Sequence, residues 1–466
     1  MVPAHSDSAR AAGLNPAALL KACPRLTEAR RLVVGFSGGL DSTVLLHLIS
    51  ELHKQKHLPA PVTVVHVNHG LQRAATEWQD YCAEVCAQLD LPILIRNVTV
   101  DLSNNASPEE AARSARYAAF ENILEDGDQL LLAHHQDDQL ETVLFRLIRG
   151  SGAKGLAGIP VTRPCGHGVI LRPLLGFRRS QLRHYALQNQ LAWINDGSNL
   201  DERYDRNFLR SAVIPQLVER FPGITNNVMK SALLCQESDE LANELAALDL
   251  ATCVGTFRNR LHIPSLQQMS EPRQRNLLRH WIAGLQAEME CAAPGHMELH
   301  RIVNEVLPAA PDGEPSVFWG RDEQRIGIRR HRDQLYLLKP MPAVPEEFVW
   351  NTAAPLELPF PLGTLQLILK NDLTATPDAL RTLRVCFRKG GEQVRQENRP
   401  TRSLKKILQE SAIPSWLRES VPLLYTGDEL LAVADLIICR TSSSSPNITE
   451  INFQIDWVRP ELHCGY

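Results

Sequence analysis

The chain has 466 residues, of which 44% are hydrophobic and 22% charged, and its formal net charge is −4. This length is too great for one hydrophobic core and predicts about two to four domains. The composition is that of a soluble globular protein, and neither a signal peptide nor a bilayer-spanning apolar run is present, so we predict a cytoplasmic protein without membrane contact. The ten scattered cysteines indicate neither a disulfide scaffold nor a structural zinc site.

The first strong pattern is an apolar run that leads into two glycines and a helix. After a leading amphipathic helix at about 14–30, residues 32–36 predict a buried strand, and the apolar spacing from Val44 to Leu48 predicts a helix. Glycines let backbone N–H groups approach an anion, and the helix directs its positive end there. The alternative is an ordinary strand-to-helix turn. We predict an anion-binding loop made of Ser37, Gly38, Gly39, Leu40, Asp41 and Ser42.

Short apolar strands then alternate with helices. The strands are predicted at 62–67, 93–98 and 129–133, and the helices at about 75–89, 108–124 and 137–149. Strands without alternating polarity, separated by helices, predict an α/β fold with a doubly wound, Rossmann-like parallel sheet. Ligands of such sheets bind beyond the carboxyl ends of the strands. The polar clusters at 37–42, 66–69 and 134–141 fall at those ends.

Carboxylates cluster near His134, at the start of the helix predicted at 137–149. Asp137 and Asp138 lie four and three residues before Glu141, so one helical face carries acidic groups. Acidic residues in a first turn also stabilise the helix dipole, which explains one of them more easily than three. A hydrolytic site with two metal ions is a second alternative, because His and Asp are its usual ligands.

Basic side chains flank this acidic helix. Arg113 and Arg116 lie three apart on the helix that begins at Pro108, and they either contact phosphate or base or are simply solvated. Arg149 and Lys154 belong to a glycine-rich segment that follows a helix and not a strand, which argues against a dinucleotide-binding fingerprint. A flexible loop beside the site, carrying Lys154, is the better interpretation.

The rest of the chain predicts two further modules. Long helices at 226–250 and 273–288 indicate a helical module, and prolines between 340 and 361 indicate a linker. We therefore predict domains at 1–215, 216–345 and 356–466, the last a small α+β domain. It contains a run with nine basic and two acidic residues, which favours phosphate contact over a solvated surface. The basic residues are Arg381, Arg384, Arg388, Lys389, Arg395, Arg399, Arg402, Lys405 and Lys406.

The Ser-Gly-Gly-Leu-Asp-Ser loop at 37–42 resembles that of the PP-loop ATP pyrophosphatases, and the whole set of motifs resembles the tRNA(Ile)-lysidine synthetase family. The loop Gly-x-x-x-x-Gly-Lys-Ser/Thr of kinases does not occur in the chain. The family resemblance rests on segments 37–42, 68–71, 112–117, 134–142, 149–152, 172–175, 196–199, 206–210, 387–392, 404–409 and 413–418. Gln72 departs from the family pattern, in which an arginine is expected, and Arg73 is a candidate substitute.

The resemblance implies an ATP-dependent ligase that acts on tRNA(Ile) with a CAU anticodon. ATP would adenylate C2 of the first anticodon cytidine, and L-lysine would then displace AMP to give lysidine. Asp41 would hold Mg²⁺, because a carboxylate alone repels phosphate. His134 would lie near the adenylated base, Asp138 and Glu141 would hold lysine, and Arg116 would complete the catalytic set. Substrate binding is predicted for Arg113, Arg149, Lys154, Arg388, Lys389, Lys405 and Lys406.

Two other kinds of protein are weighed against this interpretation. A PP-loop tRNA thiolase or another PP-loop adenylating enzyme would share the loop, but thiolases usually need cysteines beside a motif, and none is found here. A non-catalytic RNA-binding protein would need only the basic run, and the intact Asp41 and acidic helix argue against it. The oligomeric state is left open, a dimer being one alternative.

Overall fold

The computed structural model describes residues 13–70, 75–100, 108–195, 205–255, 257–310, 313–340, 347–359, 362–369, 377–395, 400–411, 413–439 and 453–458. The chain divides into two compact units, Met1–Leu241 and Ala242–Tyr466. The motif residues Leu71, Gln72 and Arg73, the segment 196–199 and Arg399 lie outside the described residues. No described helix is both long and apolar enough to cross a membrane.

The first unit alternates strands and helices. Its strands are β1 (Arg31–Gly35), β2 (Val62–Asn68), β3 (Ile93–Asn97), β4 (Asp128–Leu131), β5 (Thr162–Cys165) and β6 (Gly168–Leu171). Its helices are α1 (Pro16–Ala22), α2 (Leu40–Lys54), α3 (Ala75–Gln88), α4 (Pro108–Glu121), α5 (Gln136–Ile148), α6 (Ala153–Leu156), α7 (Arg179–Gln188), α8 (Asp205–Phe208) and α9 (Ile214–Arg220), with a π-helical segment at Leu209–Val213. The helix α10 (Ile224–Cys253) contains the boundary between the units in sequence.

These strands form one sheet in the order β3-β2-β1-β4-β6-β5. All neighbouring pairs are parallel except β5 with β6. The predicted parallel sheet is thus confirmed, with an antiparallel edge strand that the sequence pattern did not predict. A two-residue turn at Gly166 and His167 forms this edge hairpin, and Gly166 has a positive φ of 53°.

Apolar side chains cover both faces of this sheet. Leu32, Val34 and Val64 point into a cluster with buried residues of α1, α2, α3 and α7, and the intervening Val33 and Val65 point into a second cluster with residues of α4. Alternate residues of one strand face opposite sides of a sheet, so each strand is apolar throughout. This explains the absence of alternating polarity in the sequence.

The second unit contains helices and several sheets. Its helices are α11 (Ile263–Gln267), α12 (Glu271–Met289), α13 (His296–Arg301), α14 (Asp378–Arg381), α15 (Leu404–Glu410) and α16 (Ser415–Arg418). Its strands are β7 (Arg260–His262), β8 (Ser316–Trp319), β9 (Ile326–His331), β10 (Gln334–Leu338), β11 (Glu347–Asn351), β12 (Leu356–Glu357), β13 (Thr364–Leu369), β14 (Thr382–Cys386), β15 (Gln393–Val394), β16 (Arg402–Ser403), β17 (Leu423–Thr426), β18 (Glu429–Val433), β19 (Ile437–Ile438) and β20 (Phe453–Val458).

The strands β7-β10-β9-β8 form an antiparallel sheet, which we call the middle sheet. The sequence analysis predicted the long helices of this region, now seen as α10 and α12, but not the middle sheet. The C-terminal strands form a sheet β11-β14-β17-β18-β19, a sheet β12-β13-β20 and the pair β15-β16. The predicted helical region followed by a strand-rich C-terminal region is therefore confirmed, with this addition.

Trp416 of α16 contacts the middle sheet. The centroid of its ring lies 5.6 Å from that of Tyr336 and 6.0 Å from that of His331, both in edge-to-face geometry. The guanidinium carbon of Arg329 lies 5.2 Å from the centroid of the Trp416 ring. Edge-to-face ring pairs and guanidinium groups over aromatic faces are both favourable contacts. Within the second unit, Trp416 thus packs the C-terminal region against the middle sheet.

Asp128 of β4 links this strand to its neighbour β1 in the middle of the parallel sheet. It is fully buried, accepts hydrogen bonds from Arg31 Nε at 3.1 Å and from the Glu125 N–H at 2.8 Å, and forms an ion pair with Arg31 Nη2. We expect Asp128→Ala to lower the free energy of unfolding of the first unit by about 3 kcal/mol, because it leaves a largely buried guanidinium without its partner. Urea unfolding measures this change.

The matched control is the neighbouring exposed pair. Arg30 Nη2 lies 2.8 Å from Glu125 Oε2, but these side chains are 65% and 61% exposed. We therefore expect Arg30→Ala to cost less than about 1 kcal/mol. Equal losses for the two variants would contradict a special role of Asp128.

Candidate active site

The predicted anion-binding loop connects the end of β1 to the start of α2. Its sharp turn uses Gly38, whose φ is +80°, and its shape is fixed by hydroxyl groups. Ser42 Oγ lies 3.0 Å from Ser37 Oγ, accepts a hydrogen bond from the Ser37 N–H and donates to the Gly39 carbonyl. The loop thereby places the N-terminal end of a helix of 15 residues at the mouth of a cavity.

This cavity of about 460 Å³ lies at the carboxyl ends of β1, β2 and β4. Several predicted site residues form its wall, namely Ser37, Gly39, Asp41, Ser42, Arg116, His134 and Asp138. Trp78, Phe120 and Ile194 contribute apolar surface. A site with this position is the one expected for a sheet of this kind.

His135, which the sequence analysis did not select as a site residue, connects two carboxylates of the site. Its ring is almost fully buried, and Nε2 lies 3.5 Å from Asp41 Oδ2 and 3.6 Å from Asp138 Oδ2. Burial opposes protonation of His135, but Asp41, Asp138 and Asp137 outweigh it, so the pKa of His135 is raised. The charged imidazolium is thereby favoured. The Asp138 side chain also accepts the His135 N–H at 2.9 Å and caps α5.

Glu141 is buried against Arg210. Arg210 donates to Glu141 Oε2 from Nη2 at 2.7 Å and from Nε at 3.0 Å, and its Nη2 lies 3.5 Å from Asp138 Oδ1. Burial raises the pKa of both Asp138 and Glu141, and Arg210 offsets part of this rise in each case. Arg210 belonged to a family motif but had no predicted role. Its partner Glu141 is 69 positions away in sequence.

His134 lies on the basic side of the cavity. Arg172 Nε donates to His134 Nδ1 at 3.3 Å, so the neutral ring carries its proton on Nε2. Burial and the charges of Arg172, Arg113 and Arg116 lower the pKa of His134 to about 3. His134 is therefore a neutral hydrogen-bond donor at physiological pH.

Other predicted site residues do not line this cavity. Gly38 and Leu40 belong to the loop but do not line the cavity, and Glu141 is linked to the cavity-lining Asp138 through Arg210. Arg149 lies over the Phe145 ring at 4.1 Å, with Asp205 at 3.9 Å, and Lys154 is exposed on α6. In the second unit Lys389, Lys405 and Lys406 are exposed, whereas Arg388 is mostly buried and lies 3.7 Å from Glu392. Their predicted roles in substrate binding stay predictions.

Family models match three parts of the chain. A PP-loop domain matches residues 14–217, a TilS substrate binding domain residues 261–336, and a TilS substrate C-terminal domain residues 383–457. A tRNA(Ile)-lysidine synthase of Coxiella burnetii is 39% identical over 91% of this chain and 93% of its own length. The chain belongs to the tRNA(Ile)-lysidine synthase family.

A second lysidine synthase, from Pseudomonas aeruginosa, is 40% identical over 90% of this chain and 92% of its own length. Among solved structures, a U34-tRNA thiolase from Methanococcus maripaludis covers 47% of this chain with 19% identity and a TM-score of 0.40. The predicted family, the fold class and the assignment as an ATP-using ligase are confirmed by the lysidine synthase relatives and the PP-loop match. The thiolase alternative is not favoured.

The loop geometry gives a prediction for two adjacent glycines. A Cβ at Gly38 would lie 2.7 Å from Ile194 Cδ1 and 3.2 Å from Cys82 Sγ, on a backbone with positive φ. We expect Gly38→Ala to lower stability by about 1–2 kcal/mol and to weaken ATP binding through distortion of the loop. Thermal unfolding and calorimetric titration with ATP measure the two effects.

Gly39→Ala is the matched control. Its Cβ would meet only Ser37 Oγ, at an ordinary 3.6 Å. We expect stability within about 0.5 kcal/mol of the parent, but weaker ATP binding, because Gly39 lines the cavity and an added methyl group takes up space beside the loop. Normal ATP affinity in both variants would show that the nucleotide does not bind at this loop.

Proposed function

We propose that this enzyme joins L-lysine to C2 of the cytidine at the first anticodon position of tRNA(Ile), through an adenylated cytidine. One observation carries the proposal. The phosphate-type loop with Asp41 and the carboxylate of Asp138 face the same cavity, and His135 connects the two carboxylates. One site can therefore hold ATP phosphates beside groups suited to an amine.

The loop is suited to the pyrophosphate that leaves when the α-phosphate of ATP is attacked. Backbone N–H groups and the dipole of α2 favour negative charge there, and the hydroxyls of Ser37 and Ser42 hold the loop in shape through their hydrogen bonds within it. Asp41 alone would oppose a phosphate. Its Oδ1 is buried without a hydrogen-bond partner, which fits a Mg²⁺ ligand. The described residues contain no cluster of three metal-binding side chains, so phosphate oxygens and water would supply the other ligands.

We assign His134 a role at the base. As a neutral donor, it can offer Nε2–H to an oxygen of the cytosine or of the α-phosphate without adding a positive charge. Arg116, in the same cavity wall, can stabilise negative charge on the reacting phosphate. The cytidine O2 would attack the α-phosphate, and pyrophosphate would leave toward the loop.

Asp138 is the best candidate for accepting the proton of lysine. The ε-amine must be neutral to attack, although its free pKa is about 10.4. Asp138 lines the cavity, and burial raises its pKa, which makes it a stronger base than an exposed carboxylate. Glu141 accepts two hydrogen bonds from Arg210, which hold its carboxylate in one position. This fixed negative charge is suited to holding lysine. The amine would bond to C2, AMP would leave, and the proton would pass to Asp138.

Cysteine chemistry is not supported. None of the described cysteines lines the cavity. Cys82 lies beneath the loop, and burial raises the pKa of its thiol to about 12. The thiolate needed for sulfur transfer is therefore strongly disfavoured.

The direct test is incubation with ATP, labelled lysine and total tRNA. We expect label in a single tRNA species and AMP and pyrophosphate as the nucleotide products, both dependent on RNA. Chromatography separates the nucleotides, and nuclease digestion locates the label. ADP as the main product, or no label in tRNA, would contradict the proposal.

The pH dependence of lysine transfer tests the carboxylate cluster. Arg210 lowers the pKa of Glu141, so Arg210→Gln should raise this pKa further. A carboxylate with a higher pKa loses its charge at a higher pH, so the acid limb of the pH–rate profile should move to higher pH. Arg210 also lowers the pKa of Asp138, so a Glu141→Gln background should reduce this displacement without abolishing it. An unmoved limb in Arg210→Gln would show that the ionisation of Glu141 does not limit transfer.

The basic run of the second unit is proposed to bind tRNA phosphates. Lys405 and Lys406 are exposed on α15, and each phosphate contact contributes about one unit to the slope of log affinity against log salt. We expect the double variant Lys405→Gln, Lys406→Gln to lower this slope by about two. The matched control changes the exposed Lys54 and Lys56 of the first unit to Gln. If the two double variants show the same slope of log affinity against log salt, the basic run is an ordinary solvated surface.

A further inference from the structure

Tyr117 of α4 is surrounded by arginines. The guanidinium carbon lies 4.7 Å from its ring centroid for Arg163, 5.1 Å for Arg113 and 6.0 Å for Arg116. The ring itself is 8% exposed and packs edge-to-face on Phe120. Arg163 reaches it from the edge strand β5, which is distant in sequence. The sequence analysis gave Arg163 no role.

Arg113 and Arg163 have no acidic side chain close by among the described residues. Within the part of the chain that the structure describes, neither Arg113 nor Arg163 has a carboxylate at ion-pair distance, and both side chains are exposed. The buried Arg172 lies close enough to His134 to donate a hydrogen bond to it. Like charges held together are unfavourable, and a bound anion would remove this cost.

The cluster continues from the wall of the cavity to the sheet edge. Arg116 and Phe120 line the cavity, and Tyr117 follows Arg116 on the same helix. Arg113 donates from Nη2 to the Tyr117 hydroxyl at 3.4 Å. A guanidinium group has several N–H donors, so further ones remain for phosphate oxygens. The Tyr117 ring therefore serves as a platform that holds several such groups beside the cavity.

Building on the proposed function, we propose that Arg163 and Arg113, held on the Tyr117 ring, bind backbone phosphates of the RNA next to the nucleotide that enters the cavity. Arg163 is then a positioning residue for the target base. A nucleotide whose base lies in the cavity brings its flanking phosphates to the cavity rim. These contacts would fix its register without reading its sequence.

The test compares three variants of the full-length enzyme. Arg163→Ala should weaken binding of an anticodon stem-loop RNA about five- to tenfold and lower its salt slope by about one. Arg163→Lys should retain the salt slope but not the full affinity, because lysine lacks the planar group. The control is Arg220→Ala, which removes an exposed arginine stacked on Phe221 at 5.8 Å and should change neither quantity. Unfolding curves confirm that each variant is folded.

Two further measurements separate the alternatives. The KM for ATP should be unchanged in Arg163→Ala, since a rise in that KM alone would assign the cluster to ATP phosphates and overturn the proposal. RNA affinity and salt slope equal to those of the parent would also overturn it. If the proposed function itself is wrong, the parent enzyme will not attach lysine to tRNA. That result is distinct from an unchanged RNA affinity in Arg163→Ala.

Discussion

The site depends on the contact of one buried imidazole with two carboxylates. His135 lies between Asp41, which follows β1, and Asp138 in the first turn of α5. Carboxylates this close repel each other, and Glu141 adds a third. The imidazolium and the guanidinium of Arg210 offset that repulsion. Loss of either cation would push the carboxylates apart or protonate them, so the nucleotide half and the amine half of the cavity depend on the same charges.

The cavity is divided by charge. Asp41 and Asp138 line it around His135, whereas Arg116 lines it together with the neutral ring of His134. A cationic amine is attracted to the acidic side, whereas phosphates are attracted to the basic side and to the loop. Adenylation of the cytidine and attack by the lysine amine can therefore take place in the same cavity, with the phosphates and the amine bound at different positions.

The sequence predicted what is local. The strand, glycine turn and helix at 31–54 and the acidic first turn of α5 follow from spacing within a few residues, and both are found. The contacts of Arg210 with Glu141 and of Arg163 with Tyr117 join residues far apart in the chain, and no periodic pattern encodes such pairs. His135 was missed because a histidine at an N-cap resembles any other cap. The middle sheet was missed because its short strands lie among strong helical patterns.

Trp416 connects the two segments of the second unit that match family models, residues 261–336 and 383–457. Its ring contacts three residues of the middle sheet, Tyr336, His331 and Arg329. In addition, Arg332 donates a hydrogen bond to the Gln409 carbonyl at the end of α15. The exposed lysines Lys405 and Lys406 sit on that same short helix. A ligand bound to these lysines would therefore be linked to the middle sheet through α15 and the hydrogen bond from Arg332 to Gln409. The two segments would then move together when a ligand binds.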